Sequence, residues 1–342
     1  MKILLLAEFF PETDKGEING GVEARCFFVS KYLKDFGHQT IIISRPASQW
    51  TIVNWQSLSE RFLFTVRMIV QGLQTDFEIV EGTNYTNHLV AVLLGFLKRK
   101  PIVCWYPDVF VGQWFKNIGW VGIFGEIAER LLFKISGINY IAISQATKDK
   151  LIKNGVSEEK ISVVYCGVEP TKIKSPVRYD VCAVSRFLKY KHLDDLITAT
   201  RDLKVVIIGR GPEEKKLRQM ASKNVRFLGF MKKHEDVLKI MASAKIFCHP
   251  STVEGFGIVI IEAAALEVPY VARDIPAVSE VTHNGQGGLL FKNDLKQCIK
   301  TLLTDRKLYV KKSFEARQLA KFYTWEKTAR QTEKIYENLL SH

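Results

Sequence analysis

Residues Pro250 to Ala264 read Pro-Ser-Thr-Val-Glu-Gly-Phe-Gly-Ile-Val-Ile-Ile-Glu-Ala-Ala. Before them, Lys245-Ile246-Phe247-Cys248-His249 is a short apolar run of the kind that forms a buried parallel strand, and Ile258 to Leu266 reads as a buried helix. Strand, loop and helix in that order put Phe256, Gly257 and Ile258 at a helix start, where unpaired N–H groups and the positive dipole end favour an anion such as a phosphate. Two carboxylates frame the turn, Glu254 in the loop and Glu262 about one turn into the helix. Glu262 lies between Ile261 and Ala263, where an ionised side chain is costly unless something hydrogen-bonds to it. A diol can donate both hydroxyls to one carboxylate; a structural Arg or Lys is the other partner such a residue can have. Either Glu alone fits a structural or solvated role, whereas the pair with Gly-Phe-Gly between them points to a ligand.

Outward from this stretch, strands and helices alternate through nearly the whole chain, which argues for parallel sheets covered by helices. In the first half, strands are expected at Lys2 to Ala7, Gln39 to Ser44, Phe77 to Glu81, Ile102 to Trp105, Tyr140 to Ile143 and Ile161 to Tyr165. A loop with Pro11, Asp14, Gly16 and Gly20-Gly21 leads to a helix from Val22 to Phe36, and Ser144 caps a helix from Gln145 to Asn154. The periodicity breaks between Gly167 and Pro176, through Pro170, Lys172 and Lys174. Strands then recur at Asp180 to Val184, Val205 to Gly209, Val225 to Leu228, Ile246 to His249, Tyr270 to Ala272 and Gly288 to Phe291. Residues 1–170 and 171–323 thus read as two doubly wound α/β domains, followed by an amphipathic helix in 324–342. Ligands of such domains sit at the carboxyl ends of the strands, hence in a cleft between two of them.

Composition narrows the class. A chain of 342 residues is long enough for two domains that each bury a core. The six cysteines (Cys26, Cys104, Cys166, Cys182, Cys248, Cys298) show no Cys-x-x-Cys pairing, which suits reduced core thiols of a cytoplasmic protein rather than a disulfide framework or a zinc site. The apolar run at Ile3 to Ala7 ends at Glu8 and is read as a first strand rather than a signal peptide; the longest other run, Leu89 to Leu97, is about half a membrane span. Of the formal charge of +13, residues 1–170 supply 18 Lys+Arg against 17 Asp+Glu, so 171–342 carry +12. Nucleic-acid binding is one reading of a basic half. The cations are dispersed along helices with little aromatic interleaving, and a solvated face with some attraction for anionic substrates or lipid headgroups fits better.

Glu-Gly-Phe-Gly with a second Glu eight positions after the first resembles the signature of retaining glycosyltransferases of family 4 (glycosyl transferases group 1), which have the GT-B architecture of two Rossmann-like domains facing a cleft. The resemblance extends over essentially the whole chain. It implies a hexosyltransferase that uses a nucleotide-diphosphate sugar, UDP- or GDP-linked, and needs no metal or other cofactor. The first domain would take the acceptor, the second the nucleotide sugar, and the last helix would cross back onto the first domain. Arg186 and Lys191, after the first strand of the second half, look like the family's diphosphate clamp: fixed cations can absorb the charge of a leaving diphosphate where no metal does. No Asp-x-Asp motif is present, Asp76-Phe77-Glu78 being the nearest pattern. By the same resemblance Glu254 contacts the transferred sugar and Glu262 the ribose. Gly20 and Gly21 would approach the diphosphate and sugar, Gly209 and Gly211 lie near the nucleotide, and the Phe256, Gly257 and Ile258 backbone binds phosphate. Retention without an enzyme nucleophile implies a front-face mechanism. A nucleotide-sugar epimerase of the same architecture is the near alternative, and a basic nucleic-acid-binding protein the distant one.

Two features depart from the pattern or add to it. Relatives often carry a His-Asp pair after the strand that matches Ile102 to Trp105, whereas this chain has Pro107-Asp108. Asp108, or His88 from the preceding helix, is the candidate for sugar or acceptor positioning. The segment Gly112 to Phe124 is rich in large apolar residues for a loop, and Trp114 and Trp120 beside Lys116 suit a membrane interface and a lipid-linked acceptor; folding into the local core is the equal alternative.

Overall fold

The computed structural model describes residues 1–11, 18, 20–45, 55–115, 119–169 and 173–341, with the side chains of 55–58 left aside. Asp14 and Gly16 of the first loop, Pro170 and Lys172 of the interdomain stretch, and Lys116 lie outside the described residues. The chain divides into two units, Met1–Tyr165 with Trp325–His342, and Cys166–Thr324.

In the first unit, β1 (Lys2–Phe9), β2 (Gln39–Arg45), β3 (Ile79–Gly82), β4 (Ile102–Tyr106), β5 (Ile138–Ala142) and β6 (Ile161–Val163) form one parallel sheet in the order β2-β1-β3-β4-β5-β6. Ile3, Leu4, Leu5 and Leu6 are fully buried, as are Ile102 to Tyr106, so these strands are apolar on both faces and read as continuous runs. The crossover helices are α1 (Gly21–Asp35), α2 (Trp55–Gln74), α3 (Tyr85–Lys98), α4 (Gly122–Leu132) and α5 (Gln145–Lys153). Ser144 caps α5, its hydroxyl accepting from the Thr147 N–H at 3.1 Å.

The second unit holds β7 (Tyr179–Val184), β8 (Val205–Ile208), β9 (Val225–Gly229), β10 (Ala244–His249), β11 (Tyr270–Arg273) and β12 (Gly288–Phe291), all parallel, in the order β12-β11-β10-β7-β8-β9. Helices α6 (Leu193–Ala199), α7 (Glu214–Met220), α8 (His234–Ala242), α9 (Ile258–Ala265), α10 (Pro276–Val281), α11 (Leu295–Thr304) and α12 (Arg306–Ala320) connect and flank them. The strand order reverses between β7 and β10, so the loops leaving these two strands separate and leave a crevice. Both sheets are the doubly wound parallel sheets expected of the alternating pattern.

The last helix, α13 (Trp325–Leu340), belongs to the first unit. Trp325 stacks on Phe28 of α1 at 5.0 Å, and Thr328 donates to the Tyr165 carbonyl at 2.8 Å. Deeper in, Arg25 of α1 forms a two-pronged pair with Glu81 of β3, one arm at 2.9 Å, while the Tyr336 hydroxyl donates to the same carboxylate at 2.6 Å. All three are buried and the Arg25 guanidinium lies over Trp105 at 5.0 Å, so each charge has a partner in a place where an unpaired one would cost several kcal/mol.

Candidate active site

The site residues of the second unit gather at the switch point. Loop 185–191 leaves β7, loop 250–257 leaves β10, and the two are tied together through the Tyr190 carbonyl, which accepts from the Thr252 N–H at 2.9 Å. The Arg273 Nε donates to the Pro250 carbonyl at 2.8 Å and steadies the second loop from β11. Lys191, placed by the first loop, reaches Glu254, placed by the second, and donates to its Oε1. A third residue joins them that the pattern of the sequence did not single out: His249, the last residue of β10, sits 2.7 Å from the same oxygen. The signal was there in hindsight, since a polar residue ending a buried parallel strand stands at the ligand side of the sheet.

Lys191, His249 and Glu254 have side chains only 12, 3 and 14 % exposed. Burial alone would raise the Glu254 pKa; Lys191 first and His249 second outweigh it and hold the carboxyl well below the usual carboxylate range. Glu254 is therefore a fixed anion with one oxygen taken by two cationic or donor groups. Arg186, five residues before Lys191, is exposed and forms no ion pair among the described residues.

Gly257 has φ of +87°, a left-handed conformation that suits glycine, and it starts α9 by accepting from the Ile260 N–H at 2.8 Å. No side chain caps this helix, whose first N–H groups belong to the turn of Phe256, Gly257 and Ile258. The Phe256 ring itself turns inward, 2 % exposed, edge-on to Tyr323 at 5.5 Å, so its side chain is taken up by the core of the unit. Glu262, one turn along, has a partner from α8: His234 Nε2 lies 3.1 Å from its Oε1. Burial lowers the His234 pKa, but the Glu262 carboxylate overrides this and leaves it raised.

Gly209 and Gly211 have a reason to be glycine in the fold itself. A Cβ on Gly209 would stand 1.8 Å from the Ser185 carbonyl oxygen, and one on Gly211 2.4 Å from that of Phe187. The Arg210 carbonyl accepts from Phe187 N–H at 2.9 Å, lacing the β8 turn to the loop that carries Arg186. These glycines hold the loop that carries Arg186 in place from beneath.

In the first unit, Gly20 and Gly21 open α1, Gly20 in extended backbone and exposed, with nothing within 4 Å of where a Cβ would be. Asp108 lies just past β4 and is engaged: Lys150 of α5 reaches it at 2.6 Å and the Val109 N–H donates to it at 2.8 Å. His88 is a correction. It is fully buried, its Nε2 hydrogen-bonds the Trp105 carbonyl at 2.9 Å and its ring stacks on Tyr106 at 4.5 Å, with burial pushing its pKa down to about 4. It is a neutral core residue and does not reach a ligand surface.

Trp114 also turns inward, half-buried: its Nε1 donates to Glu129 of α4 at 2.6 Å, and its ring meets Tyr85 and Phe110 edge-on. Trp120 is 78 % exposed. Two clusters have cation-ligand spacing among the described residues, His38 with Glu333 and Glu337, and His192 with Asp194 and Asp195; neither contains an expected site residue. Asp76 and Glu78 precede β3, at the amino end of the sheet, where Lys2 pairs with Asp76 at 2.5 Å.

Comparison with known proteins gives this geometry a family. Residues 19–172 match the model of "Glycosyltransferase Family 4" and residues 171–319 that of "Glycosyl transferases group 1". The chain is 29 % identical to an uncharacterized glycosyltransferase of Methanocaldococcus jannaschii over 63 % of its length and 64 % of that protein's. It is 26 % identical to the phosphatidyl-myo-inositol mannosyltransferase of Mycolicibacterium smegmatis, covering 94 % and 91 % of the two chains. In fold it resembles the crystal structure of Anabaena HepE in complex with UDP-glucose, with a TM-score of 0.80 and 20 % identity over 99 % of this chain and all of that one. Two abutting family models from residue 19 to residue 319, on two six-stranded parallel sheets of this topology, place the chain among the family 4, group 1 glycosyltransferases with the GT-B fold.

Proposed function

We propose that this glycosyltransferase moves a hexose from a UDP- or GDP-sugar to a hydroxyl of a lipid-linked acceptor, with retention of anomeric configuration and without a metal. The observation that carries the donor half is the convergence of Lys191 and His249 on Glu254 beside the uncapped start of α9. Diphosphate binds to the N–H groups of Phe256, Gly257 and Ile258 and to Arg186 and Lys191. Glu262 accepts from the ribose hydroxyls once it parts from His234. Glu254 has Oε1 committed to Lys191 and His249, which leaves Oε2 to accept from a hydroxyl of the transferred sugar. As the bond from the anomeric carbon to the diphosphate oxygen breaks, the cations stabilise the charge left behind. The acceptor oxygen bonds to the same face of that carbon, and its proton goes to the departing diphosphate.

The acceptor half is supported by the relative named for phosphatidyl-myo-inositol, aligned over most of both chains. Thermal unfolding with UDP, GDP and ADP in EDTA tests the donor site. A ligand at one hundred times its dissociation constant adds about 2.7 kcal/mol. A rise with UDP or GDP is expected, and no rise with any of the three refutes the donor site. Conversion of the donor in the absence of an acceptor would make the protein an epimerase, and an inverted anomeric configuration in the product would exclude the front-face step.

A further inference from the structure

Most of the exposed large apolar side chains among the described residues fall between residues 62 and 135. They belong to consecutive helices on one side of the first unit's sheet. The chain moves from β2 across β1 to β3 through α2, then onward to β4 through α3 and to β5 through α4, and right-handed crossovers in one direction put all three helices on the same face. The step from β1 back to β2 runs the other way, which sends α1 to the opposite face, where α13 packs against it. Inward-facing residues of the three helices, Met68, Val90, Leu94 and Leu132, join one core cluster with the strands. Their outer sides should then be polar, as in an ordinary surface helix.

They are not. On α2 the outward stripe is Phe62, Leu63, Val66 and Val70, with Phe62 68 % exposed. On α3 it is Leu89, Leu93, Phe96 and Leu97. On α4 it is Ile123, Phe124, Ile127 and Leu131, with Phe124 76 % exposed and Trp120 just before the helix. Apolar groups that are scattered singly over a surface need no account; three adjacent helices apolar on both sides do. The exposed charges that accompany these stripes include the cations Arg67, Arg99, Arg130 and Lys134. Of the two acidic residues of α4, Glu129 is buried and Glu126 is already paired with Arg130 at 2.7 Å. No helix among the described residues is long and apolar enough to cross a membrane.

We infer that the outer face of α2, α3 and α4 is a docking surface for an anionic lipid bilayer, with the apolar stripes immersed at the acyl boundary and the Arg and Lys side chains among the headgroups. Amphipathic helices lying in an interface bind through buried apolar area together with attraction to anionic lipid, and these helices offer both. A second copy of the chain fits the face less well, because a two-fold pairing brings the cations of both copies into one interface, where like charges repel. The surface is separate from Arg186, Lys191 and Glu254, which belong to the other unit, so its test is independent of the donor-site reading.

Sedimentation of the full chain with vesicles of phosphatidylcholine alone, and with phosphatidylglycerol added, tests the inference. The wild-type protein should sediment with the mixed vesicles at least about tenfold more strongly than with phosphatidylcholine. The triple variant Phe62→Glu/Leu93→Glu/Phe124→Glu should lose binding to both while keeping its melting temperature and its response to nucleotide. Arg67→Gln/Arg130→Gln/Lys134→Gln should lose the preference for phosphatidylglycerol alone. Absence of wild-type binding to either vesicle, or triple-variant binding equal to wild type, overturns it. So does a wild-type dimer in solution that the triple variant dissociates, which would assign the face to self-association.

Discussion

Replacing Lys191 by Met removes the main counter-charge of a buried carboxylate and keeps much of the side-chain volume. At hydrogen-bond distance and an effective dielectric of about 20, the attraction between the two charges is roughly 6 kcal/mol, set against desolvation of both ions. Breaking such a pair on one side typically costs 3–5 kcal/mol, because the remaining charge is left buried. Here His249 still donates to Glu254 at 2.7 Å, so the lower end, about 3 kcal/mol, is expected. For a folding unit of this size that is a fall in Tm of roughly 6–12 °C. The double variant Lys191→Met/Glu254→Gln should recover more than half of it, since no charge is then stranded. The pH dependence has a definite sign. The Glu254 pKa is depressed in the folded state, so its contribution is present above the unfolded value of about 4.3 and is lost as pH falls toward the folded one. The gap between wild type and Lys191→Met should therefore be full at pH 7 and should narrow below about pH 4. Differential scanning calorimetry of the four proteins of the cycle measures all of this. A single-variant shift under about 2 °C, or a double variant no more stable than the single one, would show that the two residues are not coupled as their geometry requires.

Arg186→Ala removes an exposed cation that makes no ion pair among the described residues, so Tm should stay within about 2 °C while turnover falls roughly 10²-fold or more; near-normal turnover would strike Arg186 from the clamp. The raised pKa of His234 means that its pairing with Glu262 is in force at low pH and fades as pH rises through that value. Nucleotide affinity measured by calorimetry should accordingly improve from pH 6 to pH 8, and His234→Gln should flatten that part of the profile; parallel profiles would separate Glu262 from the ribose. Burial raises the pKa of Glu129 to about 7, against hydrogen bonds from Trp114 and Phe110, so the stability that its neutral form contributes is full below about pH 4.3 and is lost as pH rises through 7. Glu129→Gln keeps an acceptor for Trp114 and should remove about 3 kcal/mol of pH dependence between pH 5 and pH 8, seen as converging Tm curves that identical profiles would contradict.

The fold was legible because the strands carry their own signal. Runs such as Ile3 to Leu6 and Val205 to Ile208 are buried on both sides of a parallel sheet, so nothing polar interrupts them and each is bounded by a turn. Helix α2 was harder to see, because it buries Met68 and exposes Phe62, Leu63 and Val66; apolar groups on both sides erase the stripe that marks a surface helix. Pairings across the sheet were not legible at all. That Lys191 meets Glu254, 63 positions away, and that Glu262 is answered by His234 follow from strand order, which a local pattern does not encode. His88 was misplaced for a related reason: its spacing on α3 is compatible with either side of the helix, and only the position of the Trp105 carbonyl decides that it faces inward.

The glycines separate what the fold demands from what a ligand demands. Gly209 and Gly211 sit against the carbonyl oxygens of Ser185 and Phe187, so any side chain there displaces the loop that carries Arg186 whether or not a nucleotide binds. Their replacement would reduce activity and stability together and would say little about contact with the donor. Gly20 is the opposite case. Its backbone is extended, with φ of 179°, a conformation open to any residue, and a Cβ would project into free space. At a helix N-cap the change from glycine to alanine costs at most about 1 kcal/mol, and the lower entropy of the unfolded alanine chain offsets part of it. Gly20→Ala should therefore melt within a few degrees of wild type, and nothing inside the protein accounts for a loss of turnover. If the diphosphate and sugar approach the backbone there, one added methyl group should reduce turnover at least tenfold and weaken nucleotide-sugar binding, while the same change at the exposed Gly37 should do neither once its own left-handed strain is allowed for in Tm. Full activity in Gly20→Ala would mean that the Gly-Gly pair serves only the start of α1, and the donor would then have to be held by the second unit alone.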